Sequence, residues 1–219
     1  MQVFGEVLPL ALVVALSPIP IVAIVLVLGT ARARANGTAF ALGWVLGLAG
    51  AMAAFLVVLS GIDHPGEGPG AAKARIAIGV VCAVAAVRKW RGRPRAGEEP
   101  KVPGWMRHLD ELEVRRAFVL GVLLGAANPK NLGLVAAAST VISRAGHGAA
   151  ASALEAVAFV AVGSVTVAGA VVAHALFEDP ADRVLGRLKA FMLANNALIM
   201  AALFAVFAVV LLAEGIGGL

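Results

Sequence analysis

The sequence predicts an all-α integral membrane protein whose six transmembrane helices form a 3+3 inverted repeat, with helices 1 and 4 broken by proline. Of the 219 residues, 61% are hydrophobic and 14% are charged, and the mean hydropathy is +0.94. Soluble domains are usually about one-quarter charged, so this composition indicates a chain that lies mostly in a bilayer. Prolines also interrupt two apolar stretches at corresponding places, Pro18 and Pro129.

Six apolar stretches supply the predicted spans, at or near the ~20 residues that a helix needs to cross hydrocarbon. The first is too long for a secretory signal and lacks a basic segment before it, so we expect it to be retained. Residues 88–116 form the single long polar linker, which separates a first three-helix repeat, 1–87, from a second, 117–219. The spans in chain order are residues 4–30, 38–61, 71–87, 117–142, 148–177 and 185–213.

The basic residues are unevenly distributed among the predicted loops. The first, third and fifth loops, the fifth counted with the first few residues of the sixth span, hold 14 of the 18 Lys and Arg residues. The positive-inside rule places such loops in the cytoplasm. We therefore expect a multi-pass membrane protein with both termini outside and the basic linker in the cytoplasm. This orientation accounts for the net charge of +5, so no nucleic-acid partner is expected.

The most informative motif is Asn128-Pro129-Lys130-Asn131, in the middle of the fourth apolar stretch. A proline removes one backbone N–H and clashes with the carbonyl four residues earlier, which breaks the helical hydrogen-bond ladder. An ammonium at membrane depth costs about 2.5–3.5 kcal/mol on insertion scales. Non-helical backbone at that depth is tolerated only against protein or a watery cavity. The motif therefore predicts a polar site inside a helical bundle.

The first span carries a related motif, Ser17-Pro18-Ile19-Pro20, which aligns with the second when the chain is shifted by 111 residues. Because each repeat has three helices, the second copy enters the bilayer from the opposite face. Paired broken helices that meet at the bilayer midplane are a recurrent transporter design. We expect Lys130, Asn128, Asn131 and Ser17 to line a midplane substrate site, with Pro18, Pro20 and Pro129 shaping the breaks. Half-helix N-termini and one ammonium would make that site favourable for an anion.

These residues resemble the lysine-exporter (LysE-type) superfamily, and within it most closely the Sap/GAP family of sulfolipid- and glycolipid-addressing proteins. The superfamily implies a six-helix transporter of the 3+3 kind whose usual direction is export. The narrower family implies a protein of the bacterial inner membrane that moves a lipid or glycolipid toward the cell envelope. The resemblance covers essentially the whole chain and rests on Leu16-Ser17-Pro18, the basic turn 32–37, Gly43, Gly47 and Asn128-Pro129-Lys130.

Several other intramembrane residues are candidates for narrower roles. Asn195 and Asn196 lie inside the sixth span, where one of them either joins the substrate site or bonds another helix. Glu155, in the fifth span, is the best candidate for a counter-ion of Lys130 or a proton carrier. Glycines repeat on one face of the second and fourth spans, and such small-residue faces allow close helix contact. They are Gly43, Gly47, Gly50, Gly121 and Gly125.

The sequence leaves three functions open, and it favours one of them over the other two. The leading prediction is export of an anionic lipid or glycolipid through a cavity with a buried Lys, with membrane lipids as partners and a homodimer as one option. The alternatives are export of a small amino acid or cation, and a non-transporting scaffold for envelope-lipid synthesis. An enzyme is not expected, since the spans hold no nucleophile and base in a catalytic arrangement. No cofactor and no metal site are expected, because no His, Asp and Glu cluster has ligand spacing.

Overall fold

A computed structural model describes residues 2–60, 68–93 and 112–217, and all regular structure within these residues is helical. The all-α prediction is therefore confirmed for the described chain. The helices are α1 (Gln2–Ala15), α2 (Pro18–Leu28), α3 (Ala33–Ser60), α4 (Gly68–Arg91), α5 (Val114–Ala126), α6 (Pro129–Arg144), α7 (Ala149–Gly163), α8 (Val165–Leu176) and α9 (Glu178–Gly217).

Three pairs of consecutive helices are bent at short breaks. The bend is 49° between α1 and α2, 55° between α5 and α6, and 54° between α7 and α8. Two single helices, α3 and the stretch Arg183–Gly217 of α9, are long and apolar enough to cross a membrane, and the bent pairs raise the number of candidate spans among the described residues to as many as five. Helix α4 covers the predicted span 71–87 but does not pass that test, so its span remains a prediction.

The chain divides into two compact units, which are described separately. The first contains residues 1–63 and 102–190, and the second contains residues 64–101 and 191–219. These units cut across the repeats 1–87 and 117–219 and the linker 88–116, a division that stays a prediction. Residues 94–111 of the linker lie outside the described residues.

Within the first unit, α3 and α5 are packed backbone to backbone through four of the predicted glycines. A Cβ added to Gly47 would lie 2.6 Å from the carbonyl oxygen of Val122, and one added to Gly125 would lie 2.7 Å from that of Trp44. Gly43 and Gly121 face backbone atoms even more closely. The predicted packing role is confirmed for these four glycines. Gly50 differs, since nothing lies within 4 Å of the position where its Cβ would be.

Helix α2 lies in the interior of this unit, and its burial accounts for its uniformly apolar sequence. Its buried residues lie on all sides of the helix, from Pro18 to Leu28. A helix that is hydrophobic all round is normally surrounded by protein or lipid. On α3, by contrast, Leu46 is 58% exposed and Val57 is 72% exposed. Large apolar side chains left open in this way fit a surface that faces lipid.

In the second unit, α4 packs against the C-terminal part of α9. A Cβ added to Gly79 would contact Leu212 at 2.8 Å, and one added to Gly215 would contact Ile76 at 2.6 Å. From Ile76 to Gly79 the residue numbers rise along α4, while those of their partners fall from Gly215 to Leu212 along α9. The two helices therefore run in opposite directions. The third helices of the two predicted repeats are thus antiparallel neighbours.

Candidate functional site

The first break separates α1 from α2 at Ser17. Pro18 and Pro20 occupy the first turn of α2, where a missing N–H is tolerated because the first four donors of a helix have no intrahelical acceptor. Ser17 is the N-cap residue and is only 2% exposed. The two prolines therefore start a new helix at the position that the sequence predicted.

The four carbonyls in the last turn of α1 all receive a donor, but two of these donors come from distant side chains. Leu16 N–H bonds to Leu12 O at 2.9 Å, and Ser17 N–H bonds to Val14 O at 3.1 Å. Val13 O accepts a bond from Lys130 Nζ at 2.9 Å, and Ala15 O accepts one from Thr166 Oγ1 at 2.6 Å. The C-terminal end of α1 is thus completed by α6 and α8.

The second break separates α5 from α6 at Asn128. The Asn128 side chain caps α6 by accepting a bond from the Lys130 N–H at 3.1 Å, as short polar residues commonly do at a helix start. Pro129 follows as the first helical residue. Asn131 is fully buried, and its Nδ2 donates to Leu124 O at 3.1 Å. Leu124 lies four residues before Asn128, as Val13 lies four residues before Ser17. The corresponding carbonyl therefore accepts a side-chain hydrogen bond in both predicted repeats.

The third break lies between α7 and α8, within the predicted continuous span 148–177. The sequence did not predict this break. The helix ends at Gly163 and a new one begins after Ser164. Glycine and serine neighbours are a known place for sharp kinks, and this was the available signal. Gly163 lies against α1, since a Cβ there would be 3.4 Å from Val14 Cγ1. Thr166 was likewise missed, since its role depends on a carbonyl 151 residues away.

The breaks of all three bent pairs therefore meet at the C-terminal end of α1. Each break is near the middle of its pair, because α1 and α2 have 14 and 11 residues, α5 and α6 have 13 and 16, and α7 and α8 have 15 and 12. Helices α2, α6 and α8 begin here, and each helix start carries a partial positive charge. Lys130 adds a full one. The structure brings together Ser17, Lys130 and the C-terminal end of α1.

Two buried polar atoms beside these breaks have no hydrogen-bond partner within the described residues, namely Asn131 Oδ1 and Ser164 Oγ. Buried polar atoms are normally paired, so an unpaired one calls for an explanation such as a bound ligand or water. The Lys130 ammonium carries three N–H donors. Val13 O takes one of them, which leaves donors for a ligand. The site thus offers both donors and an acceptor.

Glu155 has a different partner from the one that the sequence suggested. The residue is 4% exposed, and its Oε1 lies 2.9 Å from Nδ1 of His147, while Oε2 is buried without a partner in the described chain. Lys130 is instead bonded to a backbone carbonyl. A role of Glu155 as proton carrier remains a prediction.

Asn195 and Asn196 belong to the second compact unit, so they are described apart from Lys130. Asn195 Nδ2 donates to Phe191 O one turn earlier, at 2.9 Å. Asn196 Oδ1 is buried and has no partner among the described residues. Their roles in a substrate site stay predictions. No group of three or more His, Cys, Asp or Glu residues that could hold a metal occurs among the described residues.

A set of broken helices that meet beside an ammonium is suited to holding an anion by charge-assisted hydrogen bonds. Comparison with known proteins identifies a family with a lipid-related name. The sequence model of the family described as "Sap, sulfolipid-1-addressing protein" matches residues 7–217. No curated protein and no solved structure matches the chain. Since the match spans nearly all of the sequence, the chain belongs to the Sap, sulfolipid-1-addressing protein, family.

Proposed function

We propose that this protein is an inner-membrane transporter that moves an anionic lipid or glycolipid, or its precursor, toward the cell envelope. The observation that carries the proposal is the bond from Lys130 Nζ to Val13 O, at the point where three broken helix pairs meet. An intramembrane ammonium is costly, and its retention is best explained by a function that needs the charge. In a soluble or purely structural bundle, an apolar residue would fill the same place at lower cost.

Reciprocal helix contacts support a 3+3 inverted repeat with six spans. Helix α3, from the first repeat, packs on α5, the first half-helix of the second repeat. In return α7, from the second repeat, packs on α1, the first half-helix of the first repeat. Within the second unit, the third helices of the two predicted repeats, α4 and α9, are antiparallel. Inverted repeats with broken first helices are the arrangement that supports alternating access in many transporters.

An anionic substrate fits the charge of the site, and a sugar fits its unused acceptor. The partial charges of three helix starts and the Lys130 ammonium all favour a negative group. Asn131 Oδ1 needs a donor, which a sugar hydroxyl supplies. The family name points to a sulfolipid, and a sulfated glycolipid combines both features. The acyl chains of such a substrate would remain among lipid while only the headgroup enters the site.

The orientation proposed from the positive-inside rule defines the direction of export across the membrane. The basic linker 88–116 lies in the cytoplasm and both termini lie outside, so export runs away from the linker. Proton motive force is the proposed drive, with Glu155 as the candidate carrier because it is a buried acid within α7.

The proposal is tested by headgroup translocation in proteoliposomes of phosphatidylcholine that contain a minor fraction of labelled, sulfated galactosylceramide. Lys130→Gln replaces the ammonium with a neutral amide that can still donate a hydrogen bond, so the variant should fold and lose transport at least about ten-fold, the value of one charge-assisted hydrogen bond. Lys130→Arg should retain a measurable part of the activity. Lys73→Gln, the same change at an exposed position, is the matched control and should transport normally. Wild-type rates in a folded Lys130→Gln protein would refute the role of the ammonium.

A further inference from the structure

We propose that Ser164, with the N-terminus of α8, forms part of the binding site and donates a hydrogen bond to a sulfate or phosphate ester oxyanion that Lys130 also holds. This inference rests on the proposed function and extends the site to the third break. The sequence patterns at Pro18 and Pro129 gave no indication of this residue.

The third break lies against the same end of α1 that Lys130 contacts. Gly163 abuts Val14, and Thr166 donates to Ala15 O, so Ser164 stands between two residues that both contact the last turn of α1. Lys130 Nζ is bonded to Val13 O in that turn. Val13 and Ala15 are separated by a rise of only ~3 Å along the helix. Gly163, Thr166 and Lys130 contact three consecutive residues of α1, so Ser164 lies at the same end of α1 as Lys130.

The Ser164 hydroxyl has no structural use in the described protein. Ser164 is 5% exposed, and its Oγ has no hydrogen-bond partner among the described residues. It is the N-cap residue of α8, yet its side chain makes no capping bond. An unsatisfied buried hydroxyl is destabilising, and a serine at a helix start normally caps it. An acceptor on a bound ligand would explain why the Ser164 hydroxyl has no partner in the protein.

The ligand chemistry follows from the groups that converge. Helix α8 has 12 residues, long enough for its free N–H groups and partial positive charge to attract an anion. A sulfate or phosphate ester presents several oxygens in different directions, which suits an ammonium on one side and a hydroxyl on the other. A free inorganic oxyanion has the same acceptor chemistry as a lipid headgroup, so the experiment must separate the two sources.

The test measures thermal unfolding and ligand binding of the full-length protein in detergent. Added ligands are inorganic sulfate, sulfated galactosylceramide, and galactosylceramide without sulfate. Ser164→Ala removes an unpaired hydroxyl, so without ligand its Tm should equal or exceed that of the wild type. Its affinity for sulfated galactosylceramide should be about ten-fold weaker, as expected for a lost hydrogen bond to a charged group. A buried hydroxyl with a merely structural role would lower the Tm and leave affinity unchanged.

Ser139→Ala is the matched control, because Ser139 is equally buried but its hydroxyl is bonded to Met52 Sδ at 3.0 Å. This variant should have a lower Tm and wild-type affinity. Binding of inorganic sulfate alone, with no gain from the lipid, would contradict a lipid headgroup site. Wild-type affinity in Ser164→Ala, beside lost affinity in Lys130→Gln, would overturn the role of Ser164 while leaving the transport proposal standing. Wild-type affinity in both variants would overturn both.

Discussion

Replacing Gly47 by alanine should destabilise the contact between α3 and α5. The new Cβ would lie 2.6 Å from Val122 O, 3.0 Å from Val122 Cα and 3.2 Å from Ala126 N. A carbon and a carbonyl oxygen in contact normally stand about 3.3–3.6 Å apart, so the helices must separate by roughly 0.8 Å. All three neighbours are backbone atoms, so no side-chain rotation can relieve the overlap.

The expected cost follows from two opposing effects. Overpacking costs about 1–3 kcal/mol, and a rigid backbone contact belongs at the upper end. Alanine recovers about 1 kcal/mol because it is a better helix former than glycine. The net loss should be about 2 kcal/mol. Gly50→Ala is the matched control on the same helix, since nothing lies within 4 Å of its Cβ position, and it should gain up to about 1 kcal/mol.

The measurement is thermal unfolding of both variants in the same detergent at one scan rate, followed by far-ultraviolet circular dichroism. At about 2–4 °C per kcal/mol for a chain of this length, the Tm values of Gly47→Ala and Gly50→Ala should differ by roughly 6–12 °C. Equal Tm values for the two variants would show that the backbones of α3 and α5 do not meet as described.

Two further substitutions test the contacts around the breaks. Thr166→Val should lower the free energy of unfolding by about 1–2 kcal/mol, because Ala15 O loses its donor. Thr140→Val is the control and should change the free energy of unfolding little, because the Thr140 hydroxyl bonds back to Ala136 O in its own helix. Equal losses in the two variants would argue against the hydrogen bond between α8 and α1. His147→Ala should cost about 1–2 kcal/mol by leaving the buried Glu155 carboxylate without a partner. Adding Glu155→Gln should recover part of that loss in a double-mutant cycle, and strictly additive effects would mean that the two side chains are not coupled.

The parts of the site that the sequence predicted are those fixed by local chemistry. Pro18 and Pro129 each follow a polar N-cap residue, and proline is tolerated in the first turn of a helix, so both mark helix starts. Pro9, which follows a leucine, lies inside α1 and does not end it. The position of Asn128 as an N-cap is also local, since its side chain serves a donor only two residues away. The apolar length of α3 and α9 likewise follows from composition.

The parts that the sequence did not predict depend on contacts between distant residues. Nothing near Lys130 in the chain indicates that its ammonium binds Val13 O, 117 residues away. The sequence instead suggested Glu155, an acid within a predicted span, as the counter-ion of Lys130. The break at Ser164 was missed because glycine and serine permit a kink without requiring one. In this protein the kink lies next to the hydrogen bond from Thr166 to Ala15 O of α1, a contact that exists only in the folded chain.

The dependence of α1 on donors from α6 and α8 has a consequence for biogenesis. Two of its four terminal acceptors, Val13 O and Ala15 O, are satisfied by residues that the ribosome adds more than 100 positions later. While the nascent amino-terminal half waits in the bilayer, those oxygens must bond to water, lipid headgroups or insertion machinery. The hydrogen bonds that complete the last turn of α1 are therefore a late product of assembly, formed when the carboxy-terminal half joins it.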